Sequence, residues 1–405
     1  MKKQVVICGG GASGFFAAIN IARKHPEYKV TILEKSSQVL SKVRISGGGR
    51  CNVTNARTKP SELVKFYPRG EKKLYSLFKE FSTNDMVNWL ADEGIQTHTE
   101  ADLRMFPTTN SSQTIINCFL QNVEQYGVEL RRNCGFLDIK PTETGWEVTT
   151  ASNDVIAADI VVMATGSSPA VWKKLEAIGL KMESAVPSLF TFNIKDPRLE
   201  ALSGMSFSEA KVRITGSKLE DQGPLLITHW GLSGPAILKL SAWGARWLAT
   251  QNYHFRVQIN FLPEYNFDQF RSELLNYKAS HPTRKVKNYH REEIPNRYWE
   301  RLLQVLEISP DLPFGELPNK MINKLSVELT QAEFEVRGKS TFKEEFVTCG
   351  GVALSEVDLK TMESKRFPGL YFSGEVLNID ALTGGFNFQS CWATAWQISE
   401  AVGKK

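Results

Sequence analysis

Gln4-Val5-Val6-Ile7-Cys8-Gly9-Gly10-Gly11-Ala12-Ser13-Gly14 opens the chain, and Lys29-Val30-Thr31-Ile32-Leu33-Glu34 answers it. The first stretch reads as an apolar strand, a glycine turn and the start of a helix. The second reads as an apolar strand that ends in an acid. Gly9, Gly11 and Gly14 keep the GxGxxG spacing, and Glu34 follows Gly14 by 20 residues. Gly9 permits a tight turn, Gly11 lets backbone N–H groups approach a pyrophosphate, and Gly14 lets the helix pack close to the strand. The helix N-terminus then faces phosphate charge, and Glu34 is placed to accept hydrogen bonds from a ribose. A lone glycine turn would be weak evidence. The complete strand–turn–helix–strand–acid unit predicts a dinucleotide site.

Two later stretches bear on which dinucleotide. Asp159-Ile160-Val161-Val162-Met163-Ala164-Thr165-Gly166 is a buried-strand pattern ending in small residues. Gly369-Leu370-Tyr371-Phe372-Ser373-Gly374-Glu375 is another strand, ending in Gly-acid. Strand ends that converge on the fingerprint form a cleft at the carboxyl edge of a parallel sheet. The set resembles that of two-dinucleotide-fold flavoproteins, with an early GxGxxG, a central ATG turn and a late G-D/E. That resemblance implies FAD, with the late acid on the ribityl chain.

Four further stretches narrow the resemblance. They are Ser46-Gly47-Gly48-Gly49-Arg50-Cys51-Asn52-Val53-Thr54-Asn55, Thr228-His229-Trp230-Gly231-Leu232-Ser233-Gly234-Pro235, Thr348-Cys349-Gly350-Gly351-Val352, and Gly374-Glu375-Val376-Leu377-Asn378-Ile379-Asp380 running into Thr383-Gly384-Gly385-Phe386-Asn387-Phe388-Gln389. Together they resemble the HI0933-like flavoprotein family, with its aminoacetone oxidase-like and 3-dehydro-bile-acid-reductase-like members, over essentially the whole chain. Asn378 to Leu382 departs from the family pattern, which bears on substrate rather than on flavin. The cofactor-binding set that follows is Gly9, Gly11, Ala12, Ser13, Gly14, Glu34, Lys35, Lys42, Arg44, Ser46, Gly47, Gly48, Gly49, Arg50, Cys51, Asn52, Phe136, Ala164, Thr165, Gly166, Gly374, Glu375, Gly385, Phe386, Asn387 and Phe388. Of these, the resemblance puts Phe136 near the adenine.

Three consecutive glycines keep Ser46–Asn52 out of regular helix or strand. The stretch reads as a loop lying against pyrophosphate and isoalloxazine, with Arg44 and Arg50 placed to neutralise phosphate or support a reduced flavin. Cys51 has no partner for thiol chemistry, so a packing or flavin-contact role is expected. Gly384–Phe388 leads into a last helix, read over Gln389–Val402, whose N-terminus would face the flavin pyrimidine edge. Arg50 and His229 are the candidate catalytic residues. His229 could orient substrate or move a proton, and the competing reading packs it beside Trp230. No GxGxxG follows Gly14, so NAD(P)H, if used, docks transiently. Nothing requires covalent attachment of the flavin.

The chain has 405 residues, 42% of them apolar, and a net charge of +5. So mild a charge does not point to nucleic acid or membrane. Six scattered cysteines make neither a metal site nor a disulfide framework, which fits a reducing cytoplasm. No apolar run reaches the ~18 residues that a membrane span needs.

The predicted fold is α/β. An FAD-binding Rossmann-like domain with a parallel sheet and a β-meander occupies 1–188 and 341–405. A small β-barrel-like domain is inserted at 189–263 and 330–340, and a helical insert spans 264–329, broken by prolines. Predicted elements of the first domain include a capped helix over Ser82–Gly94, a strand at Arg104–Pro107, a helix over Ser111–Tyr126 and a meander at Gly135–Ala158. The expected function is an FAD-dependent oxidoreductase acting on a small molecule above the flavin, by amine oxidation or by reduction of an activated double bond. An RNA-modifying flavoenzyme and a flavin-bound sensor without turnover are the alternatives. The basic-aromatic stretch Arg284–Arg301 reads as a solvated helix face rather than an RNA contact. Oligomeric state is not legible.

Overall fold

Gln4–Cys8 is the middle strand of five parallel ones in the computed structural model, which describes residues 2–340 and 347–404. Ile160–Met163 and then Leu370–Phe372 lie on one side of it, and Lys29–Leu33 and then Glu129–Arg131 on the other. Val5 pairs with Ile160 and Val30, and Ile7 with Val162 and Ile32. All but the outermost of these strands, Glu129–Arg131, are mostly apolar and buried because both sheet faces are covered there. Two short antiparallel strands, Glu363–Ser364 and Val357–Asp358, extend one edge.

The helix Ala12–Lys24 is buried along most of its length and packs against the last helix, Phe386–Ala401. Phe16 supplies much of that contact, with edge-on approaches to Trp392 (5.4 Å) and Trp89 (5.0 Å). Thr83–Asp92 is a helix with a reciprocal capping box between Ser82 and Asp85. Ser112–Gln125 is a helix capped by Ser111. The meander forms as Phe136–Pro141, Trp146–Thr150 and Val155–Ala158, paired antiparallel.

The chain divides into two compact units, Met1–Val186 with Val347–Lys405, and Pro187–Phe346. The predicted 340/341 boundary borders residues 341–346, which lie outside the described residues. The second unit carries a seven-stranded antiparallel sheet. Its two edge strands, Ala332–Arg337 and Lys339–Ser340, are separated in sequence only by Gly338. Gly338 has φ +96°, and its carbonyl accepts from Asn193 N (3.2 Å). One residue therefore spans from one edge of the sheet to the other, which requires a strongly curled, barrel-like sheet. Helices Phe267–Ser280, Asn296–Val305 and Asn319–Thr330 follow, the latter two starting just after Pro295 and Pro318. Their apolar faces and the inner face of the sheet form one core.

Candidate functional site at the carboxyl edge of the parallel sheet

Gly9 N donates to Leu33 O (2.9 Å) and Gly10 N to the Glu34 carboxylate (2.8 Å), which ties the glycine turn to the neighbouring strand end. The other Glu34 oxygen accepts from Ser36 N (2.9 Å) and Ser36 Oγ (2.8 Å). The three fingerprint glycines differ in what surrounds them. A Cβ on Gly9 would lie 2.3 Å from Ala164 O, and one on Gly14 would lie 2.0 Å from Gly9 O. A Cβ on Gly11 would meet nothing within 4 Å. Gly11 is also the N-cap of Ala12–Lys24 and supplies no side-chain bond to its first N–H groups. Two glycines are there for packing, and the third leaves the helix N-terminus without a side-chain cap.

The adjoining strand ends complete this edge. Cys134 N bonds Glu34 O (2.8 Å), which brings the segment leading to Phe136 beside the acid. Lys35 is exposed, and its Cβ packs against Gly135. Gly166 turns with φ +64°, and its Cβ position lies 3.8 Å from the Glu375 carboxylate. Gly374 sits against Ser13, where a Cβ would come within 2.7 Å of Ser13 Oγ. Glu375 is ion-paired with Lys42. Burial lowers the Lys42 pKa and Glu375 raises it by more, so the amine stays charged.

The segment after Ser41 starts as helix and breaks at Ser46 (ψ 145°), Gly47 (φ +57°) and Gly48 (φ +68°). The glycine run thus leaves helical geometry as the sequence predicts. The stretch that follows it, Asn52–Asn55, lies against the start of the last helix, which begins at Phe386, three residues before the predicted Gln389. Three contacts explain the earlier start. Tyr67 Oη donates to Phe386 O (2.5 Å), the Phe66 and Phe386 rings stack at 4.3 Å, and the Asn387 amide exchanges bonds with Ala381 N (3.0 Å) and O (3.1 Å). Asn55 Nδ2 donates to Gly384 O (3.0 Å), and the Asn52 amide oxygen faces Gly385 N (2.9 Å). A Cβ on Gly385 would lie 2.4 Å from Thr54 O. Thr54 Oγ1 bonds Gln389 (2.7 Å), a buried polar pair that carried no sequence signal.

The charged candidates divide. Arg50 is held by Glu100 (2.6 Å), Gly47 O (3.3 Å) and the face of Phe106 (4.0 Å), which fixes it against the glycine loop. Arg44 bonds Gln113 (2.9 Å) and keeps a buried Nε without a partner. His229 belongs to the other unit, exposed in the turn between strands Glu220–Thr228 and Gly231–Ser233, so packing beside Trp230 is not its role. Asp380 is fully buried and paired with Arg69. The acid stood in a quoted motif, but nothing in the sequence marks Arg69 as its partner.

Cys51 is fully buried with φ +62°, and burial pushes its thiol up to about 12 against the lowering effect of a Ser46 hydrogen bond. A thiolate is therefore negligible near neutrality. Iodoacetamide at pH 8 should leave Cys51 unmodified in the folded protein and alkylate it in denaturant. Peptide mass mapping reads both states, and labelling of the folded protein would restore a redox reading.

The edge fits a flavin dinucleotide on its own chemistry. Gly11 and Gly48 leave open space above them, and Thr165 Oγ1 and Arg44 Nε are buried polar atoms awaiting partners. A helix N-terminus, an acid one strand away and a Lys–Glu pair suit phosphate, ribose and ribityl groups respectively.

Comparison with known proteins agrees with this geometry. The model of the HI0933-like protein Rossmann domain matches residues 3–401. The chain is 30% identical to a ribosomal RNA dihydrouridine synthase from Escherichia coli, covering 98% of this chain and 97% of that protein. It is 25% identical to a 3-dehydro-bile acid delta(4,6)-reductase from Clostridium scindens, covering 99% of each. Among solved structures, a quinol fumarate reductase from Escherichia coli aligns with a TM-score of 0.50 at 13% identity, covering 99% of this chain and 69% of that one, a likeness of fold. No helix of the described residues is long and apolar enough to cross a membrane.

Proposed function

Since the chain belongs to the HI0933-like family, we propose that this FAD-dependent oxidoreductase reduces a carbon–carbon double bond conjugated to a carbonyl, and that its substrate is a uracil base in ribosomal RNA. The observation that carries this reading is the 30% identity to a ribosomal RNA dihydrouridine synthase along almost the full length of both chains. Dihydrouridine is uridine with two hydrogens added across C5=C6, a bond conjugated to the C4 carbonyl. The bile acid relative is also named as a reductase. Reduction is thus the reaction the two names share, and it is favoured over the oxidation of amines. The same bile acid relative supports a second reading, in which the substrate is a small enone.

A bound flavin supplies two-electron hydride chemistry at N5. The chain's own residues bind, orient and polarise. The N-terminus of Ala12–Lys24 would hold the pyrophosphate, and Glu34 would accept from the adenosine ribose. Glu375, its charge balanced by Lys42, would accept from the ribityl hydroxyls. The first N–H groups of Phe386–Ala401 would present partial positive charge to the pyrimidine edge. Arg50, fixed by Glu100 and Phe106, would support negative charge beside the glycine loop. In the net reaction a nicotinamide nucleotide gives up a hydride, a solvent proton is taken up, and C5=C6 becomes a single bond. With no second fingerprint in the chain, that donor would visit and leave.

The test is nucleoside mass analysis of ribosomal RNA from a strain whose gene for this protein is deleted. The expected result is loss of dihydrouridine at a defined position and its return on complementation. Unchanged dihydrouridine would leave the enone reading in its place.

A further inference from the structure

The formal net charge of +5 is not spread over the chain. Residues 57–80 contain seven lysines and arginines against three glutamates, a net +4 of the +5. This segment folds as the short helix Pro60–Leu63, the turn Val64–Phe66 and the helix Glu71–Glu80, packed on one another and on the last helix. Leu63, Tyr67, Leu74, Leu77 and Phe78 are buried beneath it. Lys59, Lys65, Lys72, Lys73 and Lys79 are exposed. Among them Tyr75 is 39% exposed, with Lys79 4.7 Å from its ring centre.

This face is built directly on the candidate flavin site. Phe66 stacks on Phe386, Leu382 N bonds Phe66 O (2.9 Å), and Arg69 pairs with Asp380. An open cavity of about 420 Å³ is lined by Arg69, Lys72 and Lys73, by Glu71 and Glu183, and by Asn378 among others. The Asn378 Oδ1 atom is buried without a hydrogen-bond partner. Exposed cations and an exposed aromatic ring form a surface for a phosphodiester backbone and a stacked base.

We infer that the face formed by residues 57–80 docks the sugar-phosphate backbone of single-stranded RNA beside the flavin site, an inference that rests on the ribosomal RNA reading above. Lys65, Lys72 and Lys73 carry the phosphate contacts, and the cavity at Asn378 takes a nucleoside next to the one being reduced.

The experiment uses the FAD-loaded protein and ribosomal RNA purified from the deletion strain. The triple variant K65Q/K72Q/K73Q is compared with wild type and with K218Q/K320Q/K324Q, which removes the same charge from exposed lysines of the other unit. The expected result is a rise of tenfold or more in KM for RNA with kcat changed less than twofold in the first variant only. Its log K versus log salt slope should also flatten by about 2, given ~0.7 per phosphate in single strands. Flavin content and bleaching by NAD(P)H should match wild type in both variants. Equal KM and salt slope in all three proteins would overturn the docking face while leaving the reaction standing. A wild-type protein that forms no dihydrouridine in this RNA would overturn the reading beneath it, whatever the variants do.

Discussion

Gly11→Asp gives a folded protein that purifies without flavin. The Cβ position of Gly11 meets nothing within 4 Å, so the new side chain displaces no protein atom. Gly11 is also the N-cap of Ala12–Lys24, where aspartate is a favoured residue, and the helix gains rather than loses. The added carboxylate does, however, occupy the space that the pyrophosphate needs. Like charges about 4 Å apart at an effective dielectric near 20 repel by roughly 4 kcal/mol, enough to weaken FAD binding several hundredfold. The thermal midpoint of the apoprotein should stay within about 2 °C of wild-type apoprotein. Flavin released by denaturation and quantified by absorbance should fall from near one per chain to a few per cent. Full flavin content in a folded Gly11→Asp protein would mean that the pyrophosphate lies elsewhere.

Gly14→Val does the opposite, acting on the fold and only through it on the flavin. A Cβ on Gly14 would lie 2.0 Å from Gly9 O, a backbone atom of the turn, with Ala164 behind it. Gly9 cannot yield easily, since its own Cβ position is 2.3 Å from Ala164 O. The overpacking should cost about 3 kcal/mol, beyond the small helix-propensity gain of replacing glycine. Thermal unfolding of the apoprotein should begin roughly 6–12 °C lower. Gly11→Ala is the matched control and should not move it. A Gly14→Val protein as stable as wild type would contradict the close approach of the helix to the turn.

The fingerprint was legible because its constraint is steric and local. Where a Cβ would fall 2.3 Å from a neighbouring backbone oxygen, as at Gly9, only glycine serves, and the spacing records it. The apolar strands were legible because a parallel sheet is covered on both faces, and the helices 82–94 and 111–126 because each starts on a serine cap. The last helix was placed three residues late. Its first turn holds Phe386, Asn387 and Phe388, weak helix formers that are kept helical by Tyr67, Phe66 and the Ala381 backbone. Those partners are far away in sequence. The same holds for Arg50, which the sequence places to neutralise phosphate or support a reduced flavin without showing what holds it. Its partners Glu100 and Phe106 lie 50 or more positions downstream and hold it in a defined place. The Arg69–Asp380 pair and the Thr54–Gln389 bond join segments more than 300 residues apart, and no spacing rule could pair them. Charge was legible in sum and misleading in distribution, since a mild total conceals one segment that carries most of it.

The measurement that bears most directly on the account is single turnover without oxygen. The yellow protein would be reduced by one equivalent of NADPH, freed of nucleotide, and mixed with ribosomal RNA from the deletion strain. The flavin absorbance should return with one dihydrouridine formed per flavin reoxidised, and RNA already carrying the modification should return none. A protein that binds no FAD, or a reduced flavin that is reoxidised by neither the RNA nor a small enone, would contradict the account.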